Sequence, residues 1–185
     1  PDGSEITPVE LLGFEAPDVD VNWSPKGDVL ATFRDSVSGS DQEVFLIGKQ
    51  GENLKSFRVE GRGFEGEWSP QGDKMMYSVY TPSGNYAPEL WITDVGGANT
   101  GANNGSLGLP TWIDKCTFAS NSSAYCGVPT RIARGAGLYP SLNDSIPDNI
   151  YRIDLSTGSS TLVAAPVNDT ESVPTPVLIV RFVIP

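Results

Sequence analysis

The chain of 185 residues contains no histidine. Ser-His-Asp and Cys-His catalytic arrangements and the usual zinc sites therefore cannot be assembled from its residues. The sequence also has no Gly-x-Ser-x-Gly segment, the elbow that carries the nucleophile of α/β-hydrolases. We expect a non-catalytic protein without a cofactor or a metal site.

Basic residues are few as well. Twelve Lys and Arg residues are scattered among 23 Asp and Glu residues, and the net charge is −11. A surface that binds DNA or RNA needs clustered positive charge, so we expect no nucleic-acid partner. Because no apolar run reaches the roughly 18 residues of a transmembrane helix, we expect no membrane span.

Turn-forming residues, in contrast, are abundant. The 20 glycines and 15 prolines are spread along the whole chain, which favours many short elements over long helices. Alternation of apolar and polar residues with a period of two recurs between them, and this period is typical of strands with one buried face. The composition therefore predicts an all-β fold.

One segment of this sequence occurs twice. Asn22–Asp28 and Glu67–Asp73 both contain Trp-Ser-Pro-x-Gly-Asp, and Trp23 and Trp68 are 45 residues apart. In both copies the tryptophan ends a run of alternating residues. We therefore predict that each tryptophan is a core anchor at the end of a first strand, with Val19, Val21 and Trp23 on one buried face.

The residues after each tryptophan predict a tight turn. Pro25 and Pro70 fix the φ angle of the second turn position, and Gly27 and Gly72 permit the last one. A degenerate third copy follows 50 residues after the second, where Phe118 takes the place of the tryptophan and the Pro and Gly are missing. Phe118 still fills a core position, while the turn is weaker.

A period of 45–50 residues with four short strands per unit is the pattern of a propeller blade. In the first unit we expect a polar loop at 35–41, and in the second a short fourth strand at Leu107–Leu109. The predicted division is the end of a preceding blade at 1–15, blades at 16–60, 61–110 and 111–166, and an irregular or incomplete blade at 167–185. The fold class is thus a partial β-propeller of about three four-stranded antiparallel blades plus one strand of a preceding blade.

The repeat is specific enough to resemble a known family. Trp-Ser-Pro-x-Gly-Asp, followed about 20 residues later by Val-Phe-Leu-Ile or Leu-Trp-Ile-Thr-Asp, is similar to the repeat of TolB-like β-propellers, which are related to WD repeats. Ile150–Gly158 matches the third strand and turn of such blades. Propellers of this type close with six or seven blades. The resemblance therefore implies part of a longer chain, and closure by two copies is the less favoured alternative.

The only two cysteines lie in the third unit. Cys116 and Cys126 fall on its first two strands, on either side of the turn at 119–123. Antiparallel pairing about that turn could place them opposite each other, within reach of a disulfide. Two small buried residues would fit the sequence equally well. A disulfide would imply an oxidising compartment.

The third unit also contains an unusually long connection at 129–147. Long loops in compact repeats are often functional, and Arg131, Arg134 and Tyr139 are of the types that dominate binding hot spots. We consider a partner-binding loop, although a loop that merely packs over the blade edge is the simpler interpretation.

Two further patterns have simpler explanations. Asp18, Asp20 and Asp28 would suit calcium, but without a ligand loop they are better explained as solvated carboxylates. The glycosylation pattern Asn-x-Ser/Thr occurs at four positions, as expected by chance in a chain rich in Ser and Asn. They are Asn104, Asn121, Asn143 and Asn168.

Three functions agree with these features. The first is a non-catalytic propeller that binds a protein or peptide in the cell envelope, at the cell surface or after secretion, as the TolB-like resemblance implies. The second is the propeller of a larger hydrolase of the prolyl oligopeptidase type, whose catalytic domain would lie outside this sequence. The third is a structural component of a cell-surface assembly. The first is preferred.

Overall fold

The computed structural model describes residue 8, residues 19–50, residue 52 and residues 54–167. These residues form three consecutive four-stranded antiparallel sheets, and in each sheet the strands lie side by side in chain order. The partial propeller with three four-stranded blades is therefore confirmed. The strand expected at 1–15 and the apolar segment near the C-terminus lie outside the described residues, and so does Asp18.

The first blade has a long central hairpin. Its strands are β1 (Val19–Asp20), β2 (Val29–Ser38), β3 (Asp41–Gly48) and β4 (Phe57–Val59). The prediction of a polar loop at 35–41 is wrong, because Asp35 pairs with Glu43 and Ser36 with Gln42 in the β2–β3 ladder. Only a tight turn at Gly39, with φ of +58°, separates the strands. The tip of an exposed hairpin needs no apolar residues, so a polar composition does not distinguish the end of a hairpin from a loop.

The second blade follows directly. It contains β5 (Arg62–Trp68), β6 (Lys74–Tyr80), β7 (Pro88–Asp94) and the short β8 (Gly105–Ser106). The fourth strand was predicted at Leu107–Leu109, but in the structure it begins two residues earlier in the chain, at Gly105. Leu107 and Leu109 nevertheless remain bound to the sheet, since Leu107 donates its N–H to the carbonyl of Leu90 and Leu90 donates to Leu109.

The third blade is β9 (Cys116–Ser120), β10 (Ser123–Pro129), β11 (Asp148–Asp154) and β12 (Ser159–Ala164). Three 3₁₀ turns lie between strands, at Gly97–Asn99, Ile113–Lys115 and Pro140–Asn143. Within the described ranges, no helix is long and apolar enough to cross a membrane.

Each pair of neighbouring blades shares an apolar core. Between the first two blades, Val44 and Val59 pack with residues of β5 and β6, and aromatic rings meet there at centroid distances of 5.3–6.3 Å. Between the second and third blades, Met76 and Leu90 pack with Cys126 and Ile153. Because the residues of β6 alternate between these two cores, burial of one strand stabilises both junctions.

The repeated turn uses a buried serine. The hydroxyl of Ser69 donates to Asp73 at 2.9 Å and accepts from the N–H of Lys74 at 3.1 Å. Ser24 donates in the same way to Asp28 at 2.5 Å. Both serines are fully buried, and Gly27 and Gly72 have the positive φ angles that the turn requires. The motif is therefore a hydrogen-bonded corner as well as a Pro-Gly turn.

The two tryptophans of the motif differ in their surroundings. Trp68 is buried, with 7% of its surface exposed, but Trp23 is 58% exposed and Val21 is 79% exposed. The prediction of a buried face formed by Val19, Val21 and Trp23 is therefore wrong. Trp68 is covered because the first blade lies against it, whereas among the described residues no other sheet lies against the corresponding side of the first blade.

Candidate functional site

The loop predicted as a partner contact joins β10 to β11. The N–H of Thr130 donates to the carbonyl of Pro147 at 2.9 Å and closes its base. The loop then docks on the second blade, because Gly135 and Gly137 donate to the carbonyls of Asn85 and Tyr86 at 3.0 and 2.7 Å. A Cβ at residue 137 would lie 2.6 Å from the side chain of Tyr80, so this close approach requires glycine.

A buried asparagine holds the middle of the loop. Asn143 is 2% exposed. Its carbonyl oxygen accepts from the N–H of Ala133 at 3.1 Å, and its amide donates to the carbonyl of Arg131 at 2.9 Å. Since both ends of the amide are used, the loop is fixed by internal bonds as well as by its contact with the second blade.

The fixed loop presents three large apolar side chains to solvent. Leu138, Tyr139 and Leu142 are 43%, 66% and 49% exposed. The predicted contact residues Arg131 and Arg134 are also exposed on this loop. Neither of these arginines lines the cleft beside it. We refer to Leu138, Tyr139 and Leu142 as the apolar rim.

Next to the apolar rim, a cleft of about 420 Å³ opens between the second and third blades. Its walls come from β5, β6, the 3₁₀ turn before β9 and the loop. The lining residues include Glu65, Ser78, Tyr80, Trp112, Asp114, Lys115, Leu138 and Asp144. The sequence gives no direct sign of this site, because the separate segments meet only when the blades pack.

The lining of the cleft contains more negatively charged than positively charged side chains. Lys115 is paired with Asp148, whose two carboxylate oxygens both lie 2.9 Å from its Nζ. Glu65, Asp114 and Asp144 also line the cleft. In the part of the chain that the structure describes, no side chain forms a salt bridge or hydrogen bond with the carboxylate of Glu65. The cleft is therefore acidic.

The surroundings of Glu65 change the pKa of its carboxyl. It remains open to solvent, but desolvation by the surrounding protein raises its pKa, and the nearby charge of Asp114 raises it further. Arg34 opposes these effects and Asp20 adds to them. The dominant causes disfavour the charged form of the carboxyl, and a positive charge nearby, such as that of Arg34, favours it.

Trp112 forms part of the cleft wall. It is 8% exposed, and its indole N–H has no acceptor among the described residues. The ammonium of Lys115 lies 5.4 Å from the centre of the ring. Trp112 has no distinguishing signal in the sequence, since it lies outside the repeated tryptophan motif.

The two cysteines are joined in the structure by a disulfide. Cys116 and Cys126 are directly opposite each other in the β9–β10 pair, and their Cα atoms are 4.1 Å apart. Cys126 is buried in the core between the second and third blades. The bond therefore ties β9, at the edge of the third blade, to β10, whose buried residues pack on the second blade.

Most of the other candidate positions have structural partners. Asp28 accepts from Ser24 in the first turn. The amide of Asn104 bonds to Tyr77 and Arg58, and that of Asn121 bonds to Asp73 and Gln71. Glycans would displace these bonds and those of the buried Asn143. Asn168 lies outside the described residues.

Comparisons with known proteins give a fold likeness without a family. No family model and no curated protein matches the chain. Solved structures that resemble it include an uncharacterized protein, lmo1340, from Listeria monocytogenes EGD-e, with 15% identity and a TM-score of 0.49 over 80% of this chain and 40% of that one. A putative TolB from Agrobacterium tumefaciens has 15% identity and a TM-score of 0.42 over 80% of this chain and 46% of that one. A Synechocystis apocarotenoid oxygenase mutant has 12% identity and a TM-score of 0.41 over 78% of this chain and 37% of that one. The chain spans less than half the length of each.

Proposed function

We propose that this chain is a non-catalytic propeller scaffold that binds a protein or peptide at the junction of its second and third blades. The observation that carries the proposal is the apolar rim, in which three large apolar side chains are held in solvent beside a cleft. Large apolar residues exposed together are typical of binding surfaces on soluble domains.

The way the loop is fixed supports this function. A flexible loop loses conformational entropy when it binds, whereas a loop that is already ordered binds at a smaller cost. Asn143 orders the loop from within, and the backbone bonds of Gly135 and Gly137 attach it to the second blade. Leu138, Tyr139 and Leu142 are thereby presented in a defined arrangement.

The disulfide supports a location in the cell envelope, at the cell surface or outside the cell. Disulfides persist in oxidising compartments and are rare where thiols are kept reduced. We place the scaffold in such a compartment. The hydrolase interpretation gains no support, because no observation on the described residues favours a catalytic role.

Selection from a displayed library of random peptides tests the proposal. Peptides that bind the wild-type chain should lose at least about tenfold in affinity when Tyr139 and Leu142 are both replaced by Ser, since each loses a large apolar contact. Leu162→Ser is the matched control, because Leu162 is 51% exposed on β12, away from the cleft. The proposal fails if no peptide is selected, or if the double variant binds as the wild type does.

A further inference from the structure

The second blade is covered on both sides, and its two junctions follow the same rule. Its tryptophan side, with Trp68 and Tyr77, packs on the first blade. Its reverse side, with Met76 and Leu90, packs on the third blade, where Phe118 takes the place of Trp68. At both junctions, the reverse side of one blade therefore covers the tryptophan side of the next.

This rule leaves one tryptophan side open, on the first blade. Trp23 stands at the same place in the repeat as Trp68. Trp68 is 7% exposed within the first core, whereas Trp23 is 58% exposed. The same stretch of the first blade also exposes Val19 and Val21. An apolar surface that is buried at the next repeat thus faces solvent here.

The rule also leaves one reverse side open, on the third blade. Tyr125 and Ile150 occupy there the places of Met76 and Leu90, because the central strands of the two blades pair in the same register. Met76 and Leu90 are fully buried, but Tyr125 is 37% exposed and Ile150 is half-buried. Neither Tyr125 nor Ile150 belongs to the cores between the blades.

The two open sides are complementary, because they are the two kinds of surface that meet at each internal junction. A second copy can place the reverse side of its third blade on the tryptophan side of the first blade. Such a head-to-tail contact closes into a ring if the rotation between copies allows it, and otherwise it extends into a filament. Two copies of three blades make six, within the range of about four to eight blades over which propellers close.

The charges on the two open sides agree with this contact. Arg152 is paired with Tyr125 on the reverse side of the third blade; it is exposed and forms no salt bridge within the described part of the chain. On the first blade, Glu43 is next to Val44, which belongs to the first core, so Glu43 lies on the tryptophan side. Asp35 is paired with Glu43 and lies there too. Opposite charges on facing surfaces favour encounter and fix register.

We propose that two copies of this chain associate head to tail into a six-bladed ring, in which the third blade of each copy covers Trp23 of the other. Both contacts bury apolar side chains that a single copy leaves in solvent, and this burial favours association. The apolar rim lies within one copy, so the proposed function does not depend on the ring. From the sequence alone this was the less favoured arrangement, because a repeat pattern does not show which sides stay exposed.

Sedimentation velocity over about 1–100 µM protein tests the association, since this range reveals a micromolar dissociation constant. The wild-type chain should sediment as a species of twice its mass of 19.7 kDa. Its tryptophan emission should shift to shorter wavelength as the concentration rises, because Trp23 becomes covered, and Trp23→Phe should remove that shift. Trp23→Arg and Tyr125→Glu should each raise the dissociation constant at least about a hundredfold, because each places an unpaired charge in both contacts.

Tyr139→Ser is the matched control. It removes an aromatic side chain that is 66% exposed on the apolar rim, away from both open sides, so it should leave the dissociation constant unchanged. Thermal unfolding at a concentration where the chain is a single copy shows that each variant keeps its fold.

Tyr125→Glu also separates the ring from a dimer that joins two tryptophan sides face to face, because only the ring uses Tyr125. A dimer that persists in this variant would overturn the inference. So would species that grow beyond the dimer, or a wild-type chain that stays a single copy at the highest concentration, since another kind of partner would then cover Trp23.

Discussion

The indole N–H of Trp68, in the second blade, donates to the backbone carbonyl of Asn22, in the first, at 3.1 Å. The amide of Asn22 in turn donates to the carbonyl of Gly66 at 2.7 Å. Asn22, the residue before the first tryptophan of the repeat, is thus hydrogen-bonded through its backbone carbonyl and its side-chain amide to β5, the strand that carries Trp68. The motif joins neighbouring blades in addition to forming a corner within each.

This junction predicts unequal effects of the two tryptophans on stability. Trp68→Ala should lower the free energy of unfolding by about 3–5 kcal/mol, because it leaves a cavity in a closely packed core. Trp23→Ala should cost less than about 1 kcal/mol, since the ring is mostly exposed and its contact with the Lys49 ammonium, at 5.9 Å, is a surface one. Urea unfolding followed by circular dichroism measures both values. Similar losses for the two variants would contradict this assignment.

A second contact between blades involves the degenerate copy of the motif. The amide of Asn121 donates to Asp73 at 3.2 Å, and its carbonyl oxygen accepts from the N–H of Gln71 at 3.3 Å. The third copy has lost its Pro and Gly, yet it attaches to the turn of the second copy through a side chain. Sequence comparison of the turns alone could not show this, because the bond joins residues 48 positions apart.

Asn121 therefore affects the acid stability of the protein. Burial opposes ionisation of Asp73, but hydrogen bonds from Asn121 and Ser69 outweigh it, and the pKa of Asp73 is lowered. A carboxyl with a lowered folded-state pKa adds stability above its unfolded pKa, near 4, and this contribution is lost as the pH falls through the folded value. Asn121→Ala should cost about 1 kcal/mol at pH 7 and progressively less below pH 4.

Urea midpoints of Asn121→Ala and the wild type between pH 2.5 and 7 measure this difference. Ser120→Ala is a suitable control, because Ser120 is exposed and bonds only to neighbouring serines. A difference that stays constant over the whole range would show that Asn121 acts by packing and has no effect on Asp73.

The sequence predicted the blades well because each depends on local patterns. The Ser-Pro-x-Gly turn, for example, directly precedes β6, which runs from Lys74 to Tyr80. The exposure of Trp23 could not be predicted in this way. Whether its ring is covered depends on what lies against the first blade, and the identical residues around Trp68 carry no information about that neighbour.

The candidate site was predicted only in part. The length of the 129–147 loop and its Tyr139 drew attention to the loop that carries the apolar rim. Glu65 and Trp112 were missed, because neither belongs to a motif and their proximity arises from packing of the second blade on the third. A site formed between repeats by residues distant in sequence leaves no local signal in a single sequence.

The buried tyrosine of the first core predicts a loss of stability in alkaline solution. Tyr77 is fully buried among aromatic rings, and its hydroxyl donates to Asn104 at 2.5 Å. Desolvation raises its pKa well above the usual value. A raised folded-state pKa means that stability is fully present below the unfolded pKa of about 10 and falls as the pH rises beyond it.

Absorbance at 295 nm tests this prediction, because it reports the phenolate. One of the six tyrosines should stay neutral until the protein unfolds, and Tyr77→Phe should remove that late step. The same variant should be less stable than the wild type at pH 7, by about 1 kcal/mol, since it leaves the oxygen of Asn104 without its donor. Smooth titration of all tyrosines in the folded protein would contradict the assignment.

The disulfide predicts a specific dependence on reductant. Cys116 and Cys126 are separated by ten residues, and closing a loop of this length lowers the entropy of the unfolded chain enough to stabilise the fold by about 2.5 kcal/mol. Reduction should therefore lower the unfolding free energy by about that amount, and the double variant Cys116→Ser/Cys126→Ser should lose more, because it also places a hydroxyl in the apolar core at residue 126. Before reduction, Ellman's reagent should detect no thiol even in denaturant, and after it two. Thiols that react in the unreduced, denatured chain would show that the bond does not form in solution.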